Sequence, residues 1–345
     1  MTPPMHRVKA FAAQFDRCAV DASTTAVVFS EDDSRPELVA TSIAALEHLG
    51  APVSTVVVPT PLNPGPVPIR STGASTAVAG DRSVIESLAA ADFVVDCTVE
   101  GLLHAPERSD ILSLGARILM ISNEHPEIFD RLSHDPTLCD RVTRGYEMMV
   151  AASQMTVTSA AGTDLVVDLS GAVVAGSDET VVEPGGIAHW PGGLVLAFPA
   201  ANTVSGTVVM APGDVNLTFK EYLRSSITVT LEADHVTDVA GDGLDAELFA
   251  SYLAAWDEPE AYAVSHVGWG MNRACRWDVL PLYDKADING TELRAFAGNF
   301  LWSTGANETA GRFCRGHFDL PMRNCTVELD GEPVVVEGRL VKGLA

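Results

Sequence analysis

The chain has 345 residues, of which 47% are hydrophobic and 20% charged, so it is long enough for two domains and a large buried core. Its formal net charge of −24 excludes proteins that bind nucleic acid or an anionic membrane, because both need basic surface. The six cysteines lack Cys-x-x-Cys spacing, and neither a signal peptide nor an apolar run of about 18 residues is visible. We therefore expect a cytoplasmic protein with reduced thiols.

The first half of the chain alternates short apolar runs with helix-like stretches. The apolar runs cover residues 25–30, 53–58, 92–97 and 117–122, and the helix-like stretches cover residues 36–50, 82–91 and 104–115. Continuous apolar strands between helices predict a parallel sheet covered on both faces, with a Rossmann-like topology. The turn after the first run is acidic and lacks glycine, and no Gly-x-Gly-x-x-Gly motif or P-loop occurs. A nucleotide cofactor is therefore not expected.

The composition changes near residue 150, after a helical stretch over residues 136–154. Alternating or β-rich segments separated by Gly, Pro, Asp and Ser follow, and one helix interrupts them at residues 245–256. The β-rich segments are residues 155–160, 164–169, 193–198, 206–211 and 227–232. We predict an α/β protein with a Rossmann-like parallel-sheet domain over residues 1–150. A β-rich α+β domain that binds a metal is predicted over residues 151–345.

Two histidines and an aspartate near the end of the chain have the residue types of a non-haem iron site. His317 and Asp319 stand two positions apart, so a strand would project both side chains to one face. A second segment then needs to supply only one ligand, and His266 in the run HVGWGMN is the candidate. Two imidazoles and one carboxylate leave three coordination positions of Fe(II) open for substrate and dioxygen. A histidine beside an aspartate is also common as a simple hydrogen-bonded pair.

The segments around these residues resemble a known enzyme family. Residues 97–107, 266–278 and 297–331 together resemble the 2,5-dihydroxypyridine 5,6-dioxygenases, which cleave a ring in bacterial nicotinate degradation. The resemblance extends to the aminopeptidase T-like metallopeptidases and implies their two-domain scaffold. It further implies aromatic catabolism by an Fe(II) enzyme that cleaves the C5–C6 bond of 2,5-dihydroxypyridine with O2 to give N-formylmaleamate. A homo-oligomer is implied, a hexamer being one candidate, in which a neighbouring subunit can complete the site.

The sequence departs from the metallopeptidase pattern at the positions that would hold a second metal ion. In that pattern a glutamate takes the place of His266, and another glutamate takes the place of Gly193. A histidine normally precedes the last motif, where this chain has residues 298–305, GNFLWSTG. Two-metal hydrolysis needs enough ligands for both ions, so the surviving His266, His317 and Asp319 favour a site for one iron ion. A peptidase, a dioxygenase acting on another hydroxylated N-heterocycle and an inactive binding protein remain alternatives.

The resemblance also suggests residues around the metal. His104, in a loop after an apolar run, is predicted to act as the general acid/base, since its pKa naturally lies near working pH. His189 is a second catalytic candidate in a Gly/Pro-rich turn, with Glu183 nearby as a weaker substrate-binding candidate. Ser303 is predicted to donate a hydrogen bond to substrate. Trp269 and Trp302 could stack on a ring or simply pack in the core. The candidates for neutralising the anionic ring oxygen are the arginines at 273, 276, 312, 315 and 323.

Overall fold

A computed structural model describes residues 2–62 and 75–345. Its first half contains the helices α1 (Met5–Arg17), α2 (Pro36–His48), α3 (Arg82–Ala89), α4 (Arg108–Leu112), α5 (Pro126–Arg131) and α6 (Leu138–Ala151), and the strands β1 (Ala26–Glu31), β2 (Val53–Val58), β3 (Phe93–Asp96) and β4 (Arg117–Met120). The four predicted strands are confirmed. The predicted helix over residues 104–115 forms only as α4, because Pro106 disfavours helical backbone at Ala105.

The second half is mostly strand. Its elements are β5 (Gln154–Ser159), β6 (Asp164–Asp168), β7 (Val173–Ser177), β8 (Ile187–His189), β9 (Leu194–Phe198), β10 (Val204–Met210), β11 (Val215–Asn216), β12 (Glu221–Tyr222), β13 (Ile227–Glu232), β14 (His235–Ala240), α7 (Leu244–Ala255), β15 (Val264–Gly270), α8 (Thr291–Ala295), β16 (Phe300–Asn307), β17 (Arg312–Met322), β18 (Cys325–Leu329), β19 (Glu332–Val336) and β20 (Arg339–Leu340). The α/β class predicted from the sequence is confirmed.

A five-stranded parallel sheet in the order β2-β1-β3-β4-β8 organises the first half. Alternate residues of one strand enter different cores: Phe93 and Val95 pack on one side and Val94 on the other. Both faces are therefore covered by helices, as continuous apolar runs predict. The strand β8 belongs to the second half of the sequence yet pairs with β4. The domain division at residue 150 stays a prediction, and β8 lies beyond it.

Two antiparallel sheets carry the rest of the fold. The larger has the order β14-β13-β10-β6-β5-β18-β19-β20, and the smaller, which we call the site sheet, has the order β17-β16-β15-β9-β7. The largest core packs between these sheets and α7, with Trp269, Trp302 and Phe318 fully buried in it. One face of the site sheet therefore belongs to this core, and its other face is left for the site. Within residues 2–62 and 75–345, no helix is both long and apolar enough to span a bilayer.

Candidate active site

Two strands of the site sheet bring the predicted ligands together. The strand β17 presents His317 and Asp319 on the same face, while Phe318 between them points into the core. His266 comes from β15, and β16 lies between the two strands. On β16 the residue opposite Asp319 is Ser303. Its small side chain leaves room for the two imidazoles to approach each other across the middle strand.

The spacing of the donor atoms matches a shared metal ion. Asp319 Oδ1 lies 3.2 Å from His317 Nε2 and 3.4 Å from His266 Nε2. Ligands about 2.1 Å from one ion are about 3.0 Å apart at octahedral angles and about 3.4 Å apart at tetrahedral angles. The ring Nδ1 atoms of both histidines are buried, and neither has a hydrogen-bond partner among the described residues. The donor set therefore fits a divalent metal ion.

Charged neighbours and burial keep these groups in the protonation states that a metal requires. Burial alone would raise the pKa of Asp319, but Arg294 and His317 outweigh burial and hold that pKa well below its usual range. Arg294 Nε donates to Asp319 Oδ2 at 2.5 Å, which leaves Oδ1 directed at the histidines. Burial also lowers the pKa of His266 to about 3. An ionised carboxylate therefore meets a neutral imidazole at neutral pH.

His104 joins the same cluster from the loop after β3. Its ring centroid lies 4.8 Å from that of His317, and its ligand atom lies within 4.8 Å of those of His266 and His317. Its Nδ1 lies 3.8 Å from Glu308 Oε1, which is too long for a hydrogen bond. Burial lowers the pKa of His104, and the facing Glu308 only partly opposes this shift. A neutral third imidazole therefore stands beside an ionised carboxylate.

These groups line a cavity of about 510 Å³, counted to its open mouth. One wall is the face of the site sheet, where Leu194, Leu196 and Leu301 surround the predicted ligands. The other wall is the carboxyl edge of the parallel sheet and its loops, where Ser122 and His189 lie. The cavity thus offers both apolar surface for a flat ring and polar or charged side chains, the combination found in small-molecule sites.

Comparisons with known proteins agree with this geometry. The family model described as 2,5-dihydroxypyridine 5,6-dioxygenase matches residues 6–342. A protein of that name from Pseudomonas putida KT2440 is 35% identical over 328 residues, which cover 93% of this chain and 92% of the relative. The chain belongs to the 2,5-dihydroxypyridine 5,6-dioxygenase family.

Solved structures extend the comparison to the fold. The structure of 2,5-dihydroxypyridine dioxygenase from Pseudomonas putida KT2440 superposes with a TM-score of 0.92 at 33% identity, over 97% of each chain. AmpT from Thermus thermophilus superposes with a TM-score of 0.59 at 13% identity, over 98% of this chain and 99% of that one. The second likeness shows a shared fold alone, and it confirms the aminopeptidase T-like scaffold.

Backbone geometry explains one departure of this family member from the peptidase pattern. Gly193 has φ +106°, and a Cβ there would come within 2.7 Å of Asn272 Cβ and 3.0 Å of its backbone nitrogen. A glutamate at position 193 therefore does not fit this conformation. A second carboxylate ligand cannot come from this turn as it is built.

The structure does not bring all the predicted site residues to the cavity. His189 at the end of β8 lines it, and burial lowers the pKa of that ring to about 4. Ser303 is fully buried, and its hydroxyl accepts a hydrogen bond from the His266 backbone N–H at 3.1 Å, so it holds β15 rather than forming the cavity wall. Glu183 is exposed in the turn before β8, away from the cavity lining. Trp269 and Trp302 pack in the core.

Four of the five arginines considered from the sequence make other contacts. Arg276, Arg312 and Arg315 pair with Asp278, Asp234 and Glu258 respectively. Arg323 stacks over the ring of Trp277 at 3.7 Å from its centroid.

Sequence reasoning missed two basic residues near the site, Arg294 and Lys220. Arg294 in α8 binds Asp319, and its Nη1 donates to Asn289 Oδ1 at 3.2 Å. Lys220 is buried, and its Nζ donates to the Asn289 carbonyl at 2.5 Å. Neither residue has a motif spacing that relates it to the ligands. The only signal for Arg294 is its place a few residues before the last motif.

Proposed function

We propose that this protein is an Fe(II)-dependent extradiol-like dioxygenase that cleaves the C5–C6 bond of 2,5-dihydroxypyridine with O2 to give N-formylmaleamate. The observation that carries the proposal is the position of Asp319 Oδ1, 3.2 and 3.4 Å from two buried imidazole nitrogens at the cavity wall. In this reaction both oxygen atoms enter the product, one on carbon 5 and one on carbon 6. No external reductant or organic cofactor is therefore consumed.

His266, His317 and Asp319 would hold the iron. Two imidazoles and one carboxylate with open positions are the donor set of non-haem Fe(II) oxygenases. Bound ferrous iron would supply the one-electron chemistry that allows dioxygen to react with the ring, which zinc cannot do. His104 is the third imidazole near these atoms, so a ligand set with three histidines is the competing arrangement. We favour Asp319 because its oxygen lies within 3.4 Å of both partner nitrogens.

His104 would move the proton. Its two ring nitrogens are buried, and neither has a hydrogen-bond partner among the described residues. The lowered pKa of the ring leaves one nitrogen free to accept the proton of the 5-hydroxyl group as the substrate binds. Glu308, facing Nδ1, stabilises the imidazolium that forms until the proton is returned. His189 lines the same cavity and is the second candidate for this role.

The apolar part of the cavity would orient the ring and exclude water. Leu194, Leu196 and Leu301 surround the ligands on the site sheet, and Leu103 stands beside His104. A ring held between these side chains keeps carbons 5 and 6 beside the metal ligands. Water that would compete for the open positions is displaced when the ring enters.

We further propose that the protein works in the cytoplasm as a homo-oligomer in nicotinate degradation. All six cysteines are free thiols, which suits a reducing compartment. The role in nicotinate degradation is proposed from the reaction for which the family is named.

The test loads the protein with Fe(II) anaerobically and follows oxygen uptake over a panel of dihydroxypyridines. We expect one O2 consumed per 2,5-dihydroxypyridine, N-formylmaleamate by mass spectrometry and no cleavage of leucyl peptides. The zinc-loaded protein is the control and should consume no oxygen. Peptide cleavage, or oxygen uptake with another hydroxylated N-heterocycle only, would contradict the proposed reaction.

A further inference from the structure

The turn that ends β4 has an unusual backbone at the edge of the cavity. Ser122 and Asn123 both have left-handed φ angles, +38° and +51°, which are uncommon for residues other than glycine. The Ile121 and Ser122 backbone N–H groups both donate to the Asp96 carbonyl, at 2.9 and 3.3 Å. Asn123 Oδ1 accepts from the Arg35 backbone N–H at 2.6 Å. These contacts hold a conformation that the two residues would rarely adopt alone, and such strain concentrates at functional sites.

Ser122 itself lies in the cavity wall, and its hydroxyl is buried there. Ser122 is only 3% exposed and lines the cavity, yet its Oγ is buried with no hydrogen-bond partner in the described part of the chain. The hydroxyl lies beside Gly101, where a Cβ would stand only 2.9 Å from Ser122 Oγ and 2.2 Å from Met120 Cε, so a larger residue at position 101 would crowd it. Burying an unpaired hydroxyl costs free energy. A bound ligand that accepts a hydrogen bond would offset that cost.

The shape of the proposed substrate indicates which atom meets this hydroxyl. In 2,5-dihydroxypyridine the two oxygens are para to each other, so they point to opposite ends of the ring. If the 5-oxygen lies at the metal ligands on the site sheet, the 2-oxygen points to the carboxyl edge of the parallel sheet. Ser122 is the serine on that wall. We infer that Ser122 Oγ donates a hydrogen bond to the 2-oxygen of the ring and so selects 2,5-dihydroxypyridine over hydroxypyridines that lack this oxygen.

The inference rests on the proposed function, and the test therefore measures binding separately from turnover. The variants are Ser122→Ala and Ser122→Gly, because glycine suits the left-handed backbone and keeps the fold if alanine does not. The control is Ser42→Ala, whose buried hydroxyl already donates to the Leu38 carbonyl within α2. Each Fe(II)-loaded protein is titrated anaerobically with 2,5-dihydroxypyridine and with 3-hydroxypyridine, which keeps the ring nitrogen and the other oxygen. Iron content and melting temperature are measured in parallel.

We expect both Ser122 variants to bind 2,5-dihydroxypyridine about 5- to 50-fold more weakly, the usual range for an unpaired polar group. Their affinity for 3-hydroxypyridine should stay within about twofold of the wild type. Iron content should be unchanged, and Ser122→Gly should melt at the wild-type temperature or above.

An unchanged dissociation constant for 2,5-dihydroxypyridine in Ser122→Gly would overturn the inference and leave the proposed function standing. Equal losses for both ligands would also overturn it, because the hydroxyl would then meet the ring nitrogen or shape the cavity. A wild-type protein that does not bind 2,5-dihydroxypyridine would overturn the proposed function together with this role of Ser122.

Discussion

The two walls of the cavity are built in different ways. On the site sheet, the side chains of His266, His317 and Asp319 project from strands, and the register between the strands fixes where each one stands. On the opposite wall, His104 and Ser122 lie in turns that follow strands of the parallel sheet. Strands hold atoms at the constant spacing that a metal ion needs. Turns can instead place single polar groups against a substrate without disturbing a sheet.

The strongest test of the sheet wall removes a proposed metal ligand. We expect His266→Ala and His317→Ala to retain less than roughly a tenth of the wild-type iron and to lose activity, since loss of a ligand exceeds the 10- to 100-fold cost of losing its supporting contacts. Metal analysis and circular dichroism of the purified variants check this. The control is His48→Ala, at the exposed end of α2, which should keep both iron and activity. Full iron content in either ligand variant would remove that histidine from the site.

The next test asks whether His104, which lies beside the proposed ligands, transfers a proton or binds the metal. We expect His104→Ala to keep its iron while kcat falls by roughly 10²- to 10⁴-fold, the usual contribution of a positioned proton-transfer group. Glu308→Gln should lower kcat less, because Glu308 only faces the ring at 3.8 Å. Steady-state kinetics and metal analysis together decide the matter. Loss of iron on the scale seen for His266→Ala would instead make His104 a ligand.

A smaller effect is expected for Arg294, which binds Asp319 but is not itself a proposed metal ligand. Arg294→Gln removes the hydrogen bond to Asp319 Oδ2 and should weaken Fe(II) affinity roughly 10- to 100-fold, as loss of a contact that orients a ligand does. Arg294→Lys should lie between this variant and the wild type, because it keeps the charge but not the guanidinium geometry. Anaerobic metal titration measures both. Arg276→Gln, which breaks only the surface pair with Asp278, is the control and should leave the affinity unchanged.

The smallest effect concerns stability and pH. Burial lowers the pKa of Lys220 to about 7 from its ordinary 10.5. Above pH 10.5 the amine is neutral in both the folded and unfolded chains. Between pH 10.5 and 7 the unfolded chain binds a proton that the folded chain does not, so folding is increasingly penalised as the pH falls. The free energy of unfolding of the wild type should therefore fall relative to that of Lys220→Met by roughly 2–4 kcal/mol over this range.

Urea unfolding of the metal-free proteins at several pH values between 7 and 10 measures the difference. Lys285→Met is the control, because Lys285 pairs with Glu221 at the surface. Its difference from the wild type measures the effect of removing a lysine that is not buried. A constant difference for Lys220→Met would show that the amine keeps its ordinary proton affinity in the folded protein.

The contrast between the two walls also explains which parts of the site could be predicted from the sequence. The spacing of His317 and Asp319 is local, because strand geometry alone sends both side chains to one face. His266 was already the candidate for the third ligand from its residue type, although no spacing rule links it to the other two, and the resemblance then supported it. The roles of Arg294 and Ser122 depend on contacts between segments distant in the sequence, which no spacing rule describes. The hydrogen bond from Ser303 to substrate stays a prediction, and nothing in GNFLWSTG shows that its hydroxyl accepts the His266 backbone N–H. The strands were predicted well because apolar periodicity is a local property.

The position of β8 has a consequence for how the polypeptide is made. The strand β4 gains its second neighbour only when residues 187–189 pair with it, so a ribosome must synthesise the antiparallel strands β5, β6 and β7 before the parallel sheet can close. A nascent chain that stops near residue 150 exposes the unpaired backbone hydrogen-bonding groups of β4 at an open edge. Such an edge can pair with another chain and so promotes aggregation. Expression fragments of the first half should therefore carry β8, and a gene cut at residue 150 should yield insoluble protein.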